Sequence, residues 1–168
     1  MLCLITSLDT HKSSGADGVS AKMLKSTSSC IVKSLTNLFN KSLKSGKFPS
    51  DWKAARIVPI PKGGDPESPG NYRPISILPV LSKLLEKHVH DLLSHYLCLH
   101  SPLSQHQWGF TSGKSTTSAL TSFTHECQEA LDCGNEVCSV FFDLSKAFDT
   151  VPHQQLLYKL SQLHVNPF

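Results

Sequence analysis

No stretch of this 168-residue sequence approaches the roughly 18 consecutive apolar residues of a membrane span. Residues 1–8 lack the basic start and long apolar run of a secretory signal. Together these absences predict an intracellular protein, nuclear or cytoplasmic, with no membrane partner. The six cysteines contain no CxxC pair, which excludes a zinc ribbon or a dithiol redox motif and predicts idle or buried thiols. Two further motifs fail on spacing. The run Gly109-Phe110-Thr111-Ser112-Gly113-Lys114-Ser115 has three residues between its glycines where a phosphate-cradling P-loop needs four, and it follows Gln-His-Gln-Trp rather than a hydrophobic strand. His125-Glu126 begins like a zinc-protease helix but has Glu129 where the second histidine must stand. His88, His90 and His95 fall near Glu86 and Asp91 but interleave with a strong apolar stripe, so a solvated helix face is expected there rather than a metal site.

What is present suits one globular domain with a real core, at 39% hydrophobic and 17% charged residues. The net charge of +3 conceals an asymmetry. Residues 1–75 hold 11 Lys and Arg against five acids, and the remainder holds five against eight. A basic first half fits a phosphate backbone, and it fits a lysine-rich solvated helix equally well.

Apolar periodicity sets the expected elements. Leu24, Ile31, Leu35, Leu38, Phe39 and Leu43 recur at threes and fours up to Gly46, predicting an amphipathic helix over residues 20–45 with lysines on its wet side. Residues 56–62 and 71–78 flank a Gly/Pro loop and predict an irregular hairpin with its prolines at sheet edges. Leu81, Leu84, Leu85, Val89, Leu92, Leu93, Tyr96 and Leu97 predict a helix buried against another layer. A further helix is expected over about 115–132, with Leu120, Phe123, Cys127, Ala130 and Leu131 inward and Gly134 closing it. Residues 137–142, Val-Cys-Ser-Val-Phe-Phe, read as a buried strand, and Pro152 opens a last helix. The fold class is α+β. Asp143 follows the expected strand, where a carboxylate holds a hard cation or else caps the turn into the next helix.

The run Val140-Phe141-Phe142-Asp143-Leu144-Ser145-Lys146-Ala147-Phe148-Asp149 resembles the first catalytic motif of LINE-type (non-LTR) reverse transcriptases, F-x-D-x-x-K-A-F-D. Upstream blocks follow in the family's order: Gly15-Ala16-Asp17-Gly18-Val19 with Leu24, Phe48-Pro49-x-x-Trp52, Val58-Pro59-Ile60-Pro61-Lys62, Asn71-Tyr72-Arg73-Pro74-Ile75-Ser76, and Gln107-Trp108-Gly109-Phe110 with Gly113-Lys114-Ser115-Thr116. They cover residues 15–160 and are most similar to jockey-like elements.

The resemblance implies a partial right-hand polymerase. Residues 1–135 would form fingers and early palm helices, and 136–168 a palm strand with the catalytic Asp and its following helix. It implies Asp143 as catalytic residue and ligand of Mg2+, with Lys62, Arg73, Ala147 and Phe148 at the nucleotide. Lys62 and Arg73 would contact the triphosphate from the fingers hairpin, Arg with its planar fork and Lys as a point charge. Phe148 would be the gate against a ribose 2′ hydroxyl, with core packing as its other reading. Gln107, Gly109 and Phe110 would shape the pocket and template path. The implied partners are an RNA template, a DNA primer and deoxynucleoside triphosphates. Nothing after Asp143 reads as the template-gripping G-x-P-Q-G block or the paired aspartates, and no endonuclease block precedes the fingers. The downstream palm and thumb are therefore expected to be missing and the chain alone inactive; the competing expectation is a non-catalytic relic or a nucleic-acid-binding fragment.

Overall fold

The structure is a computed structural model that describes residues 1–100 and 104–165. They divide into two compact units, one over Met1–His95 and one from Tyr96 onward.

In the first unit, α1 (Leu2–Thr6), α2 (Ala21–Ser26), α3 (Ser28–Ser45) and the start of α4 (Val80–His100) enclose a core of Ile5, Ala21, Leu24, Leu35, Phe39, Trp52, Val80, Leu84 and Leu85. The helix expected over 20–45 is interrupted at Thr27, the C-cap of α2 and N-cap of α3. Its hydroxyl donates to the Met23 carbonyl at 2.8 Å, within a Ser-Thr-Ser-Ser run whose short polar side chains compete with the helical ladder. Gly46 then closes α3 in the left-handed conformation, φ +63°. Phe48 and Trp52 fold back so that Trp52 meets Phe39 edge-on at 5.5 Å and Phe48 at 6.0 Å.

Two of the sequence blocks serve this packing. A Cβ on Gly15 would stand 2.6 Å from the Pro79 backbone, so only glycine permits this approach. Asp17 accepts from the Val19 N–H, Gly18 turns at φ +71°, and Ser20 caps α2 by accepting from the Met23 N–H at 3.2 Å.

The hairpin forms as expected, with β1 (Arg56–Pro61) antiparallel to β2 (Tyr72–Ile77) and Pro59 facing Pro74. The Lys62 N–H donates to the Asn71 carbonyl at 2.7 Å. Ladder alternation then places Pro59, Pro61 and Pro74 at positions whose N–H would point outward. The prolines thus cost the ladder nothing and blunt both outer edges.

The second unit corrects the sequence reading. In it α5 (Thr116–Asp132) opens on a Ser115/Ser118 capping box, and α6 (His153–Gln162) follows Pro152. Neither helix buries a residue, so Leu120, Phe123 and Leu131 are not inward as expected. The buried strand expected at 137–142 is not formed: the segment has no ladder and Phe142 is 91% exposed. A strand needs a partner for its N–H and C=O groups, and the two strands among the described residues pair with each other. The expected stripe of α4 likewise splits, buried at Leu84 and Leu85 but exposed at Val89 and Leu92. All six cysteines are free, and no described helix is long and apolar enough to cross a membrane.

Candidate nucleotide and metal site

The hairpin presents one basic face. Side chains alternate along a strand, and directly opposed residues share a face. Lys62 therefore stands beside Ile60 and its partner Arg73, about 7 Å along the strand. Arg56, which the sequence reading did not single out, falls on the same face; counting in twos back from Lys62 would have found it. The Lys62 ammonium donates to the Gly70 carbonyl at 3.1 Å. The connecting loop is fixed from the adjoining block: the Asn71 amide donates to the Asp65 carbonyl at 2.8 Å and the Tyr72 hydroxyl to the Pro66 carbonyl at 2.9 Å. Asn71 and Tyr72 are thus anchors of the loop, which leaves Arg73 exposed.

In the second unit Asp143 is exposed at the head of a turn. Lys146 takes φ +51°, and its carbonyl accepts from the N–H groups of Asp149 at 2.9 Å and Thr150 at 3.1 Å. This turn carries Ala147 and Phe148. The Phe148 ring meets Phe110 edge-on at 5.8 Å, so the structure brings together the expected gate and one expected pocket residue. The Phe148 side chain is 79% exposed. Gln107 donates through its amide to the Gly109 carbonyl at 2.9 Å, and the Thr111 hydroxyl lies on both of their carbonyls, which shapes the loop that displays Phe110. Lys114 stacks over Trp108 at 4.7 Å and donates to the Gln105 carbonyl, tying the same loop to the N-terminus of α5.

The Asp143 carboxylate enters no ion pair or hydrogen bond among the described residues, so both oxygens are open to a hard cation. The alternative of a helix-capping aspartate is not realised, since the N-cap of α6 is Pro152 and no side chain caps it. The described residues bring no three His, Cys, Asp or Glu side chains together as a metal cage. Asp143 fits Mg2+ as one ligand of several.

The first unit thus carries a two-stranded ribbon with a basic face and a pinned loop, and the second an exposed carboxylate and an exposed aromatic ring on one turn. Residues 60–168 match the family described as reverse transcriptase (RNA-dependent DNA polymerase), and the chain belongs to that family. It is 37% identical over 165 residues to the probable RNA-directed DNA polymerase from transposon BS of Drosophila melanogaster, covering 98% of this chain and 18% of that protein. It is 31% identical over 161 residues to the RNA-directed DNA polymerase from mobile element jockey of the same organism, covering 95% and 18%. The Pol polyprotein from the type-1 retrotransposable element R2 of Popillia japonica is 30% identical over 153 residues, covering 90% and 20%. The resemblance to non-LTR elements is borne out. The chain spans about a fifth of the length of these relatives.

Proposed function

We propose that these residues form the incoming-nucleotide side of an RNA-directed DNA polymerase of a non-LTR retrotransposon, its fingers and the first catalytic motif of its palm. On the hairpin face Lys62 and Arg73 bind the triphosphate, the guanidinium gripping two oxygens and the ammonium neutralising a third. Ala147 and Phe148 lie against the sugar, and the Phe148 ring excludes a 2′ hydroxyl. Gln107, Gly109 and Phe110 set the template path. Bound Mg2+ would lower the charge on the transferring phosphate and activate the primer 3′ hydroxyl. Asp143 would hold that ion through its carboxylate.

The observation that carries this reading is the 143–150 turn, which displays a carboxylate without an ion-pair partner among the described residues and an exposed aromatic ring five residues later. By themselves the 168 residues are read as binding without catalysis, because two-metal chemistry needs several converging oxygen ligands. In a polymerase carrying this sequence together with a complete palm, Asp143→Asn abolishes deoxynucleotide incorporation on a primed RNA template and leaves the melting temperature unchanged. Template-dependent incorporation by the 168-residue chain alone, lost on Asp143→Asn, would overturn the second statement.

A further inference from the structure

Residues 18–50 contain six lysines and not one Asp or Glu. Most of this acid-free tract is α3. One side of that helix is committed to the core through Leu35, Phe39 and Ser42. At about 100° per residue, Lys33, Asn37, Asn40, Lys41 and Lys44 gather on the opposite side, and all five are exposed. Asn37, Asn40, Lys41, Lys44 and Ser45 line one shallow depression there. Lys33 to Lys44 spans about 17 Å of helix axis. Over that length one strand of a duplex presents about five phosphates. Among the described residues none of the three lysines enters an ion pair, since both ion pairs there end on Asp91.

We infer that this face of α3 is a second nucleic-acid surface, separate from the hairpin, which tracks a phosphodiester backbone without reading bases. Ammonium groups supply the charge, and the carboxamides of Asn37 and Asn40 donate to phosphate or sugar oxygens between them. A membrane is disfavoured as partner, because a helix lying in a bilayer surface must bury its apolar face in lipid, and here that face packs on the protein core. The inference rests on the nucleic-acid partner proposed above but not on its metal chemistry.

The test is fluorescence anisotropy of the 168-residue chain with labelled oligouridylate and oligothymidylate of equal length, titrated across salt. Lys33→Gln/Lys41→Gln/Lys44→Gln keeps good helix formers in place. It should lower the slope of log affinity against log salt by about 2, at roughly 0.7 per lost single-strand contact. The same change at Lys83, Lys87 and Lys159 removes equal charge from other helices and should leave the slope alone. Replacing the three α3 lysines by arginine should restore it. A slope that falls equally in both triple variants, a loss on only one of the two oligonucleotides, or equal binding of polyglutamate or anionic vesicles would overturn the proposal. Circular dichroism identifies an unfolded glutamine variant, and the arginine variant then decides the question. Asp143→Asn should leave all these slopes unchanged, so a failed metal assignment cannot be mistaken for a failed surface.

Discussion

Helices α3 and α5 are nearly the same length, 18 and 17 residues, and both are amphipathic, yet α3 buries Leu35, Phe39 and Ser42 while α5 buries nothing. The periodicity of a sequence specifies which side of a helix is apolar. Whether that side is dry depends on a second layer supplied from elsewhere. In the first unit the layer is present, as α1, α2 and the start of α4 close on α3 with Trp52 wedged at its end. In the second, the apolar sides of α5 and α6 and the segment 137–142 face outward. The family's sequence blocks divide the same way. Those around Gly15 and Trp52 hold a core, whereas those around Phe110 and Asp143 lie exposed.

The contrast is tested most severely by truncating an aromatic side chain in each unit. Phe39 is 1% exposed, and Phe39→Ala should cost about 3–5 kcal/mol, the range for emptying a buried aromatic site. Phe141 touches Phe123 at 5.9 Å but is 82% exposed, so Phe141→Ala should stay within about 0.5 kcal/mol. Denaturant unfolding followed by tryptophan emission measures both. Equal losses would mean that the second unit has a core of its own.

A smaller effect separates two glycines. In Gly15→Ala the new methyl meets backbone, which cannot swing aside, and the loss should be about 1–3 kcal/mol. Gly109→Ala meets nothing within 4 Å and should be neutral to about 0.5 kcal/mol. A neutral Gly15→Ala would show that the approach to Pro79 relaxes readily.

Much of this was legible beforehand. The hairpin, α4 and α5 stand where periodicity and turn residues put them, because those signals are local. The lysines of α3 are wet as expected, and Gly46 ends the helix for a backbone reason visible in the sequence. The strand expected at 137–142 does not form because β-branched and aromatic content favours burial, while pairing is a non-local fact. For the site, residue types were legible and grouping was not. That Arg73 shares a face with Lys62 and Arg56 follows from a register that only the paired strands fix. That Asn71 and Tyr72 hold the loop is likewise a matter of geometry.

Phe148 belongs to the exposed side of this contrast, since its ring stands open on a turn. In a polymerase extended to a complete palm, Phe148→Val should relax the choice between deoxynucleotide and ribonucleotide while deoxynucleotide use persists. Each tenfold relaxation in the ratio of kcat/KM corresponds to about 1.4 kcal/mol of lost discrimination. The melting temperature should not move. Unchanged sugar choice in a folded variant would sink the gate, and a lowered melt with both sugars slowed together would make Phe148 a packing residue.

The smallest effect expected lies on α4, where the helix leaves the core. Asp91 is held below the ordinary carboxylate range, first by a hydrogen bond from His90 at 3.2 Å and then by one from Lys87 at 3.4 Å. A depressed folded-state pKa contributes stability that is present above the unfolded-state value and lost as pH falls through the folded one. Asp91 is exposed on a solvated helix face, however, so water and salt screen the contribution. NMR titration should therefore find Asp91 titrating low, with His90→Gln raising it more than Lys87→Met and added salt narrowing the difference. The melting temperature should stay level across the same acid range. If acidification through that range instead unfolds the first unit in step with Asp91, the outer half of α4 is coupled to the core and Asp91 belongs with the packed residues rather than the displayed ones.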